Sequence, residues 1–295
     1  MFKIIEKTKI WFTFSILIIC VGMGFLAVKG LKYGIEFGGG AVLQADLKKT
    51  INYEDINSIR QMTSKYTDDA QVSTVDSTGI VIRSGNLANE QTQKMEQLKA
   101  DISKKYNIDP NTWTTESVGP SVGRELRQNA ILAIVIASIA MLLYVAVRFE
   151  IRFGVAAVLA LIHDILITLS VYAILQIPVN SSFIAAILTI LGYSINDTIV
   201  VFDRIRENMR FMKRVSYEEL ADVSITQTMA RSINTILTTL FTITAVYFIG
   251  VSAVKELALP LIIGIISGCY SSIFIASPIW VLWKNADKRK SLANA

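Results

Sequence analysis

Six separate apolar stretches, at 10–28, 130–147, 153–176, 182–202, 226–250 and 256–283, limit what this chain can fold into. Each is long enough to cross a hydrocarbon core of about 30 Å as a helix. In lipid only a helix satisfies its own backbone within one segment, so the stretches predict an α-helical polytopic membrane protein with six transmembrane helices. The composition agrees, at 52% hydrophobic and 18% charged residues. An even number of crossings puts both termini on one side.

Basic residues say which side. Lys3, Lys7 and Lys9 precede the first stretch; Arg148 and Arg152 lie after the second; Arg204, Arg206, Arg210, Lys213 and Arg214 follow the fourth; Lys284, Lys288, Arg289 and Lys290 close the chain. The short loops of the opposite face, 177–181 and 251–255, carry only Lys255. Short basic loops stay cytoplasmic, so both termini are predicted cytoplasmic, with a tail at 284–295. The net charge of +5 is therefore an orientation signal and not a nucleic-acid footprint, because the long first loop balances its own charges. Residues 1–28 read as a cytoplasmic start and a retained anchor, lacking a clear small-residue cleavage site. Leu17 to Cys20 resembles a lipoprotein site only faintly, with bulky Ile19 before the cysteine. Cys20 and Cys269 both fall in apolar stretches and read as small packing residues, with neither disulfide nor metal role.

The loop at 29–129 is predicted to be an exported α+β domain between helices 1 and 2. It opens with the glycines Gly34, Gly38, Gly39 and Gly40 and closes with Gly119 and Gly123, which read as hinges. Between them 40–47 alternates as a strand, 53–66 has helical spacing, 70–76 and 79–83 make a hairpin, 89–106 is a helix and 111–118 a last strand. That order is the ferredoxin-like one. The loop contains no histidine or cysteine, and its carboxylates have no catalytic spacing, so it reads as a contact platform and not an enzyme. Metal-ligand, nucleotide-loop and nucleophile-elbow patterns are absent from the whole sequence. The segment 204–227 is too polar to cross. Ser216 and Glu219 form a capping box that starts a short amphipathic helix expected to lie along the cytoplasmic interface, among membrane lipid.

Asp197 is the costliest residue in the crossings, since a carboxylate near mid-bilayer costs roughly 2.5 to 3.5 kcal/mol and marks an ion or proton pathway. Its helical rise puts it about 8 Å above the inner boundary, and Arg231 enters the fifth crossing to about 7 Å. Two readings follow from that level match: a pair that protonation of Asp197 would release, or a fixed ion pair joining two helices. Tyr193 and Ser194 share the Asp197 face, and Arg231, Thr235, Thr238 and Thr242 form a stripe expected to show hydroxyls to neighbouring helices. Gly264 and Gly268 make a small-xxx-small packing pattern, followed by Ser271 and Ser272, also read as packing. His163 reads as a packing residue, and Asp164, near mid-bilayer, as a possible member of the relay.

The string LTILGYSINDTIVVFDRIREN from Leu188, with GIEFGGG at Gly34, VGPSVGREL at Val118, HD at His163, RSINT at Arg231 and GCYSSIFIASP at Gly268, resembles the SecF family of bacterial protein-export subunits. Glu36 stands where that family usually has aspartate, and Gly38 where threonine is common. The resemblance implies half of a transporter of the resistance-nodulation-division superfamily in the bacterial cytoplasmic membrane, with a SecD-like partner, the SecYEG channel, YajC and YidC as partners. It also implies that protons are the coupling ion, with no cofactor, and that an unfolded preprotein is the cargo. The family's proton-path aspartate and arginine fall on Asp197 and Arg231. A half-transporter of the same superfamily exporting a lipid or small hydrophobic molecule, and a passive scaffold of the channel, are the competing expectations.

Overall fold

The computed structural model describes residues 3–75, 77–87, 92–213 and 215–293. Asp76, the predicted helix start at Asn89, Arg214 and the last two residues of the predicted tail lie outside the described residues. The chain divides into two units: residues 3–31, 132–177 and 182–293, and residues 32–131 with 178–181.

The first helix, α1 (Thr8–Lys29), enters with its leading amides held: Asp222 accepts from Ile4 N at 2.9 Å and from Ile5 N at 3.0 Å. These are amides that a helix start leaves without a backbone partner. The smaller unit then runs α2 (Ile35–Gly38), β1 (Gly40–Asp46), α3 (Tyr53–Thr63), β2 (Gln71–Val75), β3 (Gly79–Ser84), α4 (Thr92–Tyr106) and β4 (Thr114–Val118). Its sheet has the order β2-β3-β1-β4, and each neighbouring pair is antiparallel. Alternation along β1 turns Ala41, Leu43 and Ala45 inward, with Leu43 opposite Ile82 and Ala45 opposite Ile80. Ile59 of α3 and Leu98 and Ile102 of α4 cover that face, fully buried. Asn52 starts α3 through a reciprocal box with Asp55.

The glycines read as hinges sit in ordered backbone within this unit. Gly34 N donates to Val179 O at 2.8 Å, and Val179 N donates to Lys32 O at 2.8 Å, so the entering strand zips onto 178–181. Glu36 accepts from Ser181 N at 2.7 Å, which gives its longer side chain a structural task. Gly39 and Gly40 have φ of 82° and 143°, and a Cβ on Gly40 would come within 2.5 Å of Ser84 O. Gly119 O accepts from Gly123 N at 3.0 Å as the next helix begins.

Asp69 closes the turn after β3, accepting from Ser84 Oγ at 2.5 Å, Gly85 N at 2.7 Å and Asn86 N at 3.1 Å, and from Thr67. Burial opposes its charge, but the Ser84, Thr67 and backbone donors outweigh that and hold the carboxyl below its usual range. A depressed native value means the stabilisation is present above the unfolded value of about 3.9 and is lost as pH falls through the native one. Asp69→Asn should therefore cost about 1 kcal/mol at neutral pH, after solvent screening of this half-exposed group. The readout is faster hydrogen exchange at Gly85 and Asn86, and the difference from the parent should vanish in strong acid. Equal exchange of the two proteins at neutral pH would refute it.

The larger unit continues with α5 (Pro120–Arg148), α6 (Ile151–Leu175), α7 (Ser181–Phe211), α8 (Tyr217–Ile249), α9 (Ser252–Ser271), a π-helical turn (Ser272–Ala276) and α10 (Ser277–Ala293). Six helical segments among the described residues are long and apolar enough to cross a membrane, the last running unbroken through α9, the π turn and α10. One end of the bundle is filled by aromatic packing: Phe153 stacks on Trp280 at 5.1 Å and tilts against Phe202 at 4.8 Å.

Two expectations change here. The segment 204–227 is not a separate surface helix, because α7 continues to Phe211 and α8 begins at Tyr217. Ser216 does cap that start, accepting from Glu219 N at 3.1 Å, but the helix runs on into the fifth crossing. With 31 and 33 residues, α7 and α8 outrun a hydrocarbon core of about 30 Å, and their polar ends bind each other. Asn208 donates to Ser224 at 2.8 Å, and Arg204 to Gln227 at 2.7 Å. The predicted tail likewise starts as helix, since α10 passes Lys284, which holds Glu150 at 2.7 Å, while Arg152 holds Asp287 at 2.6 Å.

Candidate proton site

Asp164 and Asp197 both lie well inside the apolar crossings, and their surroundings differ. Asp164 of α6 has no solvent exposure. Its Oδ1 accepts from Ser267 Oγ at 2.6 Å and faces His163 Nδ1 at 3.1 Å; its Oδ2 accepts from Ser194 Oγ at 2.6 Å and Ser271 Oγ at 2.8 Å. Three helices, α6, α7 and α9, therefore meet on one acceptor. His163 extends the cluster to α1, with Nε2 at 2.9 Å from Ser15 Oγ; Ser15 reaches Tyr270 OH at 3.4 Å, and Tyr270 OH donates to Trp11 O at 2.8 Å. Both acceptor oxygens of Asp164 are used twice, which is full satisfaction for a buried carboxylate.

Asp197, one turn further along α7 than Ser194, is served far less. Ser232 Oγ donates to its Oδ1 at 2.5 Å, while Oδ2 is buried with no close hydrogen-bond partner among the described residues. The Ser272 hydroxyl also stands near this carboxylate, and its nearest partners are Thr198 Oγ1 at 2.8 Å and Gly268 O at 2.9 Å. Beside Asp197 lies a cavity of about 160 Å³ lined by Tyr193, Ser194 and Asn196 of α7, Arg231, Thr235 and Thr239 of α8, and Gly268 and Cys269 of α9. That is room for several water molecules, with Val200, Ile236 and Ile265 also in the wall. An unmet buried oxygen beside such space has a carboxylate's capacity to take up a proton or accept from water.

The predicted residues thus separate. Asp197, Ser194, Arg231 and Thr235 line one cavity, but Asp197 and Arg231 do not close an ion pair among the described residues. Level along two helices fixed their height, whereas helix rotation gave the Asp197 oxygen to Ser232. Asp164 stands behind Ser194, whose hydroxyl faces it and not Asp197. Thr238 lies outside the cavity lining, and the threonine stripe does not offer its hydrogens to other helices. Thr235, Thr238, Thr239 and Thr242 donate to carbonyls of their own helix at 2.8 to 3.1 Å, the usual resort of a helical threonine.

Gly264 and Gly268 are where α9 meets α7: a Cβ on Gly264 would lie 2.1 Å from Ile190 Cδ1, and one on Gly268 3.1 Å from Ser194 Cβ. Sequence reading missed Ser232, Ser267, Ser15 and Tyr270, and took Ser271 for packing. Ser232 adjoins Arg231, and Ser267 and Ser271 fall one helical turn apart, so spacing held a signal that only a known acceptor could have made specific.

The family model described as protein export membrane protein SecD/SecF, C-terminal, matches residues 98–286. The protein translocase subunit SecF of Thermobaculum terrenum is 36% identical over 97% of this chain and 95% of its own length. The chain belongs to the SecD/SecF family, as a SecF-type subunit. Protein translocase subunit SecDF of Bacillus subtilis is 36% identical over 98% of this SecF-type chain but only 39% of its own length. The crystal structure of SecDF, a translocon-associated membrane protein from Thermus thermophilus, has 35% identity and a TM-score of 0.79, covering 96% of this chain and 39% of that one. The SecF-type chain thus spans 95% of the Thermobaculum SecF and 39% of each SecDF.

Proposed function

We propose that this SecF-type chain uses the proton motive force, with a SecD-like partner, to assist late steps of preprotein export through SecYEG, and that Asp197 is the group that takes up and releases the proton. The observation that carries this reading is the Asp197 carboxylate, held at Oδ1 by Ser232 and with Oδ2 unmet among the described residues, beside a cavity that Arg231 also lines. Protonation removes the charge that Ser232 and Arg231 stabilise, so α7 and α8 lose an attraction that holds them in one arrangement. Each charge crossing 100 mV supplies about 2.3 kcal/mol, enough to bias a two-state bundle appreciably. The fused SecDF relatives support a SecD-like partner, which would supply the matching half of the pathway.

In this reading the protein sits in the bacterial inner membrane with both termini cytoplasmic. The unit around the sheet is its exported ferredoxin-like domain, supported by the strand-helix-strand-strand-helix-strand order and the sheet order. YajC and YidC are further proposed neighbours.

The test is gradient-stimulated export in proteoliposomes holding the full chain, its partner and the channel. Asp197→Asn and Arg231→Met should each lose at least about tenfold of the gradient-dependent increment, while assembly with the partner persists. Full stimulation in both variants would leave only the scaffold role.

A further inference from the structure

We propose that His163 is a second proton-binding site in the bundle, separate from the Asp197 cavity and wired to α1 through Ser15 and Tyr270. The chain contains one histidine, buried between two polar partners on different helices. Nδ1 lies 3.1 Å from Asp164 Oδ1, and Nε2 lies 2.9 Å from Ser15 Oγ.

Donor counting makes this geometry a two-state device. With Asp164 as the carboxylate, accepting from three serine hydroxyls, the ring atom facing it donates: Nδ1 carries a hydrogen. In the neutral ring Nε2 is then an acceptor, and the Ser15 hydroxyl donates to it. When a proton reaches Nε2, the new N–H donates to Ser15 Oγ, and the serine hydrogen swings to Tyr270 O. No other bond breaks. Tyr270 can accept because its own hydrogen is committed to Trp11 O at 2.8 Å. The 3.4 Å between Ser15 and Tyr270 is long for two hydroxyls, so that contact has slack to close in the protonated form.

Every polar hydrogen therefore has a partner in both states, which a merely packed histidine would not require. The titratable groups around the ring among the described residues are Asp164 on its own helix and Tyr270 of α9, stacked at 5.9 Å. From α1 the facing group is the Ser15 hydroxyl, and α7 contributes only Ser194, through Asp164. Protonation turns a hydroxyl on α1, so the charge on α6 is reported to the first crossing without passing through Asp197.

The single histidine makes the test direct. The full chain, purified without a histidine tag, labelled with 15N-histidine and placed in lipid bilayers, gives one pair of ring nitrogen signals between about pH 5 and about pH 9. We expect the Nδ1–H neutral tautomer at the alkaline end and growth of the doubly protonated ring toward the acid end. Ser15→Ala, a small buried change, should lower the protonated-to-neutral ratio at fixed acid pH by about tenfold, because the new N–H loses its acceptor. Asp197→Asn should leave the titration in place, which separates this site from the proposed export mechanism. A ring held in one neutral tautomer across the whole range, or a ratio unchanged in Ser15→Ala, overturns the proposal.

Discussion

Asp164→Ala should destabilise the folded bundle by about 2 to 4 kcal/mol, more than any other single polar truncation in the crossings. The substitution removes the acceptor from Ser194, Ser267, Ser271 and the His163 ring together. Interhelical hydrogen bonds in a bilayer average about 0.6 kcal/mol each, and buried donors left without any partner add to that sum. The same reasoning gives Ser267→Ala only about 0.6 kcal/mol, since the other three contacts to Asp164 remain. Unfolding in lipid nanodiscs measures both. A loss below about 0.5 kcal/mol for Asp164→Ala would mean that its partners find other acceptors and that it is not the joint of α6, α7 and α9. The contrast with Asp197 is chemical. A carboxylate met on four sides suits a fixed joint, and one with an unmet oxygen beside a cavity suits exchange.

Gly22→Ala should cost about 1 to 3 kcal/mol, and Gly24→Ala, two residues on in the same helix, should be neutral or slightly stabilising. A Cβ on Gly22 would lie 2.1 Å from Ser170 Cβ and 2.5 Å from its Cα, so α1 could accommodate it only by moving off α6. At Gly24 nothing lies within 4 Å. Because Ser15 lies on the same helix and meets His163 of α6, the shift should also lengthen that contact. Thermal unfolding of the two variants in the same lipid compares them directly. Equal effects would show that α1 is not seated against α6 at this point.

Much of the architecture could be read from the residues, and the reasons are local. The crossings declare themselves by apolar length, and the sheet unit by alternating strands such as β1, whose Ala41, Leu43 and Ala45 face inward as the period of two requires. The capping signal at Ser216 placed the start of α8 to the residue, at Tyr217. The fate of 204–227 was not legible, because a polar amphipathic stretch has the same pattern lying on a membrane as extending two crossings beyond it. Length alone could not decide between them. Ser271 was misread for a related reason: a small residue near Gly268 looks like packing until a carboxylate is known to face it.

The sequence by itself determined that the chain has six stretches able to cross a membrane as helices, that a βαββαβ unit follows the first of them, and that Asp197 and Arg231 stand at one level. These follow from composition, periodicity and helical rise, which are properties of single segments. Only the tertiary structure decided that Ser232 and not Arg231 holds Asp197, that Ser194 serves Asp164, and that His163 reaches Ser15. Those pairings depend on the rotation of each helix about its axis and on close approaches at Gly22, Gly264 and Gly268. A hydrogen bond is made or lost over less than an ångström, and that distance is set between helices far apart in the chain.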